Sequence, residues 1–420
     1  MTGAHFQVAP NLAFNEQVAR RRAAGERVEH LAFGESLLPL PPEITALLDA
    51  GARHRGYGPV AGSDAARAAV AGYFSRRGLS THAEQVVLAP GSKPLLMALT
   101  AAVNGDIVLP SPSWVSYAPQ ARLLGRQVVL VTIPLACGGI PDPDLLPKAV
   151  RSARARGIAP RLLVLTLPDN PTGTLAPPDL VRRVCAVAER EDLVIVSDEI
   201  YRDLRHDPDA EMLSPASVVP GRTVVTTGLS KSMALGGWRI GAARFPDTPL
   251  GRRLSASVIA VASEVWSTMP APMQEVAAGV FAEPPVVIRH LWESARLHRA
   301  VARGLHRIVT DAGASCRPPS GGFYLYPDFG RARGLLATRG VRDAASLQDH
   351  LLEALGVAVL GGHHFGDEPT ALRVRMATSL LYGETDDERW AALRAPDPLR
   401  LPHIAAVLDR LAKAFSQLLA

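Results

Sequence analysis

Lysine is nearly missing from this chain of 420 residues: Lys93, Lys148, Lys231 and Lys413 are the only four, so arginine supplies almost all of the basic charge. Cysteine is scarcer still. Cys137, Cys185 and Cys316 are too few and too far apart for a disulfide framework or a zinc spacing, which fits a reducing compartment and gives no metal site. No run of about 18 apolar residues exists to span a bilayer, so no membrane partner is expected. Met1–Gln7 lacks the charged-then-apolar order of a secretory leader, and the expected location is the cytoplasm. Aromatic residues make up only 5% of the chain and interleave with no basic stripe, which argues against a nucleic-acid partner. What is present, 47% apolar and 20% charged residues with a net charge of +5, describes a globular chain able to build one large unit and a smaller one.

Short apolar runs alternate with amphipathic segments through the middle of the sequence. Strands are expected at Gln85–Ala89, Asp106–Leu109, Gln127–Ile133, Arg161–Leu167, Leu193–Val196, Thr223–Thr227 and Arg239–Phe245, with helices between them such as Ser92–Val103 and Pro177–Glu191. That alternation predicts an α/β unit with a mainly parallel sheet, whose ligand groups sit past the carboxyl ends of the strands. The first 45 or so residues belong outside the sheet. From about Ile308 the pattern changes to a smaller α+β unit, giving expected divisions at 1–45, 46–307 and 308–420. Leu381–Leu401 reads as an exposed loop insertion with an acidic tract.

The segment Thr226-Thr-Gly-Leu-Ser-Lys231-Ser, followed by Gly236-Gly-Trp-Arg239-Ile-Gly, puts a rare lysine beside small hydroxyls, glycines and an arginine. An amine there can form a Schiff base with an aldehyde cofactor, while Ser230 and Arg239 hold that cofactor's phosphate. Asp198, closing the apolar run Leu193–Ser197, can keep a pyridine nitrogen protonated, and Tyr201 can reach the ring's phenolic oxygen. Glu199 reads as structural or solvent-facing. In Asp169-Asn170-Pro-Thr-Gly173, the turn residues project the Asn170 amide from a strand end toward the same oxygen. Gly91, Ser92 and Lys93 open a helix whose free N–H groups suit an anion. Trp114 or Tyr117 can lie on a pyridine ring, with Trp114 preferred because it follows the strand sooner. Tyr57 offers a phenol to a phosphate. Arg373 and Arg375 share one expected strand, where one of them can clamp a carboxylate and the other serve as a surface ion-pair partner. For the substrate side chain, Leu37 and Leu38 suggest an apolar wall and His363, His364 or Glu264 a polar contact.

Taken together, from about Leu31 to Ser379, these motifs resemble the class I/II aminotransferases, fold type I enzymes dependent on pyridoxal 5′-phosphate, and within them the aspartate/aromatic type. Asp169–Gly173, Ser197–Tyr201, Ser230–Gly241 and Pro319–Tyr324 carry the likeness. The resemblance implies a large domain with a mainly parallel seven-stranded sheet and a small α+β domain drawn from both chain ends. It implies Lys231 as the Schiff-base residue, Gly34 and Arg373 on the substrate carboxylate, and amino acid and 2-oxo acid substrates. It also implies a homodimer with shared active sites, Tyr57 reaching the neighbouring subunit's phosphate. Two segments depart from the family pattern, Gly34-Glu-Ser-Leu-Leu-Pro-Leu-Pro41 and Leu360-Gly-Gly-His-His-Phe365, and both normally border the substrate side chain. The alternative outcome on the same cofactor is β- or γ-elimination, or cyclising or oxidising chemistry of secondary metabolism.

Overall fold

A computed structural model describes residues 8–420, so Met1–Gln7 and the leader reading made on them lie outside the described residues. Twelve strands follow in chain order: β1 (Glu29–His30), β2 (Val86–Pro90), β3 (Asp106–Ser111), β4 (Val128–Thr132), β5 (Pro160–Thr166), β6 (Val194–Asp198), β7 (Thr223–Gly228), β8 (Ile240–Arg244), β9 (Tyr324–Leu325), β10 (Val357–Ala358), β11 (Leu360–Gly361) and β12 (Val374–Ala377). Seven of them, each within a residue or two of an expected run, form one sheet in the order β2-β8-β7-β6-β5-β3-β4. β3 to β7 run parallel, and β8 is antiparallel to both of its neighbours. Near-continuous burial along β2, β5, β6 and β7 explains their apolar composition, because helices cover both faces of the sheet.

The parallel strands deliver their carboxyl ends to one edge, and the turns after β2, β3, β5, β6 and β7 carry the motifs. Past β2 comes Gly91–Lys93, past β3 Trp114 and Tyr117, past β5 Asn170, past β6 Tyr201, and past β7 Ser230 and Lys231.

Segments from both ends of the chain meet beside this edge. β1 pairs in parallel with β10, and Leu31 sits in an apolar core shared with Leu351, Val374, Met376 and Phe415. A 27-residue helix, Pro285–Asp311, joins the two regions: Val287 packs in the core around Phe74 and Phe281, while Leu297, Val301, Leu305 and Val309 pack in the core built by the C-terminal segment. The expected division at 307/308 therefore falls inside a helix that serves both cores.

Leu381–Leu401 is not an open loop. Asp386–Arg394 is a helix whose start is fixed reciprocally by Thr385 and Glu388, and its Ala392 and Leu393 are fully buried in the C-terminal core. The acidic tract is the first turn of that helix, where negative charge suits the exposed N–H groups. No helix among the described residues is long and apolar enough to cross a membrane.

Candidate active site

A cavity of about 410 Å³ opens at the carboxyl edge of the sheet. It is lined from the strand ends by Ser92, Lys93, Trp114, Tyr117, Asn170, Asp198, Tyr201, Ser230, Lys231 and Arg239. From the other region come Gly34, Glu35, Tyr324 and Arg375.

Lys231 stands in the middle. Its ammonium donates to the Gly34 carbonyl at 2.5 Å. Burial and the nearby cations Arg375, Arg239 and Lys93 pull its pKa down to about 8, against the opposing pull of Glu35. An amine that sheds its proton this readily is a usable nucleophile and base near neutrality.

Asp198 ends β6 with its side chain buried. Tyr117 donates to its Oδ2 at 2.8 Å and Thr226 to its Oδ1 at 3.2 Å. Burial pushes the carboxyl up to about 6, and these hydrogen bonds resist that rise. The Tyr117 hydroxyl also meets Thr166 Oγ1 at 2.9 Å, so β3, β5, β6 and β7 together fix one carboxylate. Sequence reasoning offered Tyr117 only as a stacking ring and missed this contact. Trp114 lines the cavity edge-on to Tyr117, with the Lys93 ammonium 5.3 Å from its ring centre.

Asn170 is buried, and its Oδ1 lies 3.4 Å from Nη1 of Arg375. Tyr201 shares a 2.7 Å hydrogen bond between hydroxyls with Tyr324. A methyl group on Gly34 would overlap that Tyr324 hydroxyl, so glycine is required there by space. Gly91, at φ +91°, lies against the Arg239 guanidinium in the same way. Arg239 itself holds a left-handed backbone at φ +57°, a conformation costing an arginine roughly 1 kcal/mol or more, and donates to the Gly236 carbonyl at 2.8 Å. The turn is thereby held where a guanidinium, the helix start at Ser92 and Ser230 face one another.

The family model for aminotransferase class I and II matches residues 28–380. The chain belongs to this aminotransferase family. It is 29% identical over 394 residues to the aspartate aminotransferase of Geobacillus stearothermophilus, covering 90% of this chain and 94% of that one. It is 30% identical, with the same coverage, to the aspartate/prephenate aminotransferase of Cereibacter sphaeroides. Among solved structures, the aspartate aminotransferase of Thermus thermophilus with maleate superposes with a TM-score of 0.80 at 26% identity, covering 98% of this chain and 97% of that one. The chain is therefore a pyridoxal-phosphate-dependent aminotransferase.

The residues fit that cofactor on their own terms. Arg239, Lys93 and the helix start at Ser92 gather positive potential at one end of the cavity, where a phosphate belongs. Asp198, buried and in no ion pair among the described residues, suits a positive ring nitrogen at the other.

The structure separates the two arginines. Arg373 lies outside this cavity, bound to Asp328 at 2.8 Å and Asp367 at 3.1 Å, and lines a separate cleft. Arg375 is the one that lines this cavity. It is 2% exposed, donates to the Ala32 carbonyl and has no carboxylate partner among the described residues; its Nε has no partner at all. The two arginines share one face of an extended chain, but about 6.6 Å of rise separates them, and only the second reaches Asn170. Tyr57 is 93% exposed and outside the cavity. Glu199 does not face solvent: it is buried and takes hydrogen bonds from Ser197, Ser214 and Arg202. Leu38, His363, His364 and Glu264 line none of this cavity, and Leu37 lines only a small neighbouring one. Asn11 and Leu12, from a helix at Pro10–Ala23, do line it. Nothing in the sequence reading pointed to them, because half of that helix is polar and it buries only Phe14 and Val18.

Proposed function

We propose that Lys231 is the residue through which this aminotransferase holds its cofactor covalently and moves the substrate's Cα proton, with Asp198 and Arg375 fixing the two ends of the reaction. The observation that carries the reading is the Lys231 amine, lowered to a pKa of about 8, in one cavity with a buried guanidinium that has no carboxylate partner among the described residues and with a hydrogen-bonded buried carboxylate. Pyridoxal phosphate supplies the electron sink that lets a Cα–H bond of an amino acid ionise.

The chain's own groups do the rest. Arg375 grips the α-carboxylate bidentately, helped by the main chain at Gly34, and so turns the Cα–H bond toward Lys231. The Lys231 amine would take that proton as general base and hold it for return, in a reaction whose outcome is an amino group moved from an amino acid to a 2-oxo acid. Asp198 holds the ring nitrogen protonated, and Tyr117 and Thr226 keep that carboxylate ionised and oriented. Asn170 and Tyr201 face the ring's phenolic oxygen. Gly91, Ser92, Lys93, Ser230 and Arg239 surround the phosphate, and Trp114 covers the ring.

The same reading makes the enzyme a homodimer, in which the outstretched Tyr57 serves the partner's phosphate. It works in the cytoplasm, in keeping with three unpaired cysteines. Residues 1–45 join 308–420 as one domain against 46–307, supported by the pairing of β1 with β10. Borohydride reduction of the loaded enzyme followed by peptide mapping tests the assignment. A pyridoxyl group fixed on Lys231 is the expected result. Its absence, or a Lys231→Ala enzyme that still turns over, overturns the reading.

A further inference from the structure

We propose that the substrate side chain recognised by this enzyme ends in N–H donors, an amide or a cationic nitrogen, and that Asn11 and Glu35 are the residues that select it. This inference rests on the cofactor and carboxylate assignments above, which account for the cationic side chains of the cavity. Arg375 is given to the α-carboxylate, and Arg239, Lys93, Ser92 and Ser230 face the phosphate end.

Asn11 and Glu35, which those assignments leave unused, put hydrogen-bond acceptors on the cavity wall. Asn11 Oδ1 is buried with no partner, an arrangement that costs stability unless a ligand supplies the donor. Glu35 is partly buried and forms no hydrogen bond or ion pair with any described residue, although its carboxylate lies beside Gly236, 3.3 Å from where a β-carbon there would stand.

The two acceptors line the same cavity. Asn11 and Asn15 are one helical turn apart in Pro10–Ala23. Asn11 lines the main cavity and Asn15 lines an adjoining cavity of about 160 Å³. Glu35 borders both cavities. In the smaller one Asn15 Oδ1 is already taken by His30 Nε2 at 2.8 Å, so Asn11 is the amide left open.

The wall discriminates by repulsion as well as by attraction. A second carboxylate on the substrate would face the Glu35 carboxylate and an orphaned carbonyl-type oxygen, whereas an amide or ammonium would satisfy both. An apolar end would leave both acceptors desolvated and unpaired, a penalty that separates isosteres far more sharply than size does.

The experiment follows the conversion of loaded enzyme to its pyridoxamine form by absorbance, with single amino acids and no acceptor. Asparagine, glutamine, ornithine and lysine are compared with norvaline, norleucine and methionine, and with aspartate and glutamate. The wild type should show at least a tenfold higher kcat/KM for an N–H-ended donor than for its apolar and carboxylate counterparts of equal length. Asn11→Leu, and separately Glu35→Gln for the cationic donors, should lower the ratio of N–H-ended to apolar donor at least tenfold. Aspartate or glutamate outperforming its own amide, or ratios unmoved in both variants, overturns the proposal while leaving the aminotransferase reading intact. No conversion with any amino acid overturns both.

Discussion

Acidification should weaken this fold through three buried histidines that the active site does not use. His206, His290 and His298 are 3%, 2% and 0% exposed. Burial lowers the first two to a pKa of about 4 and His298 to about 3, the last helped by the other two imidazoles. In the unfolded chain each titrates near 6.5. A group lowered on folding stays neutral in the native state while the unfolded chain takes up its proton. The stability is therefore complete above about pH 6.5, falls as the pH drops toward 4, and levels off below.

For His290 the loss between pH 7.5 and pH 5.0 works out at about 2 kcal/mol. His290 also has no hydrogen-bond partner at either ring nitrogen. His290→Leu should consequently be neutral or stabilising by roughly 1 kcal/mol at pH 7.5, since it removes two unsatisfied polar atoms from the interior. At pH 5.0 it should gain the further 2 kcal/mol. For a chain of this length, unfolding with roughly 2.1 cal/mol/K per residue converts that gain into about 2 °C of Tm. Thermal melts of the wild type and the variant, each at both pH values, measure it. A variant whose Tm falls with pH as steeply as the wild type's would falsify the argument.

Arg375→Ala should lower kcat/KM roughly 10²- to 10³-fold, the loss expected for a buried charge pair, while Arg373→Ala should change it less than threefold; steady-state kinetics separates the two. Tyr117→Phe removes one charge-assisted hydrogen bond from Asp198, worth about 1.5–3 kcal/mol, and equilibrium dialysis should show cofactor affinity weakened at least tenfold. Gly34→Ala drives a methyl group into the Tyr324 hydroxyl, and single-turnover rates should fall tenfold or more with cofactor absorbance retained.

The seven strands of the main sheet could be read from the chain because each is a short run of mostly apolar residues, most of them rich in β-branched side chains. Their order could not: nothing local in Ile240–Arg244 says that it inserts between β2 and β7. The strand-end residues Lys231, Asp198 and Asn170 were legible for the same reason as the strands. Arg373 and Arg375 were not separable, since they have equal parity and similar neighbours. What distinguishes them is the pair of carboxylates, Asp328 and Asp367, brought to the first from distant segments. Thr385 and Glu388 did advertise a helix start, yet the acidic tract around them drew the reading toward a loop. Asn11 could be found only by folding, because its importance comes from where Pro10–Ala23 docks.

The lysine–Gly34 contact and the arginine–Ala32 contact each close a span of well over a hundred residues, 197 and 343 positions long. In chain order the anion cradle and the reactive amine precede position 375, while the carbonyls that Lys231 and Arg375 grip lie near the start of the chain. Both ends of the polypeptide must therefore return to the sheet edge before the amine and the guanidinium share one cavity.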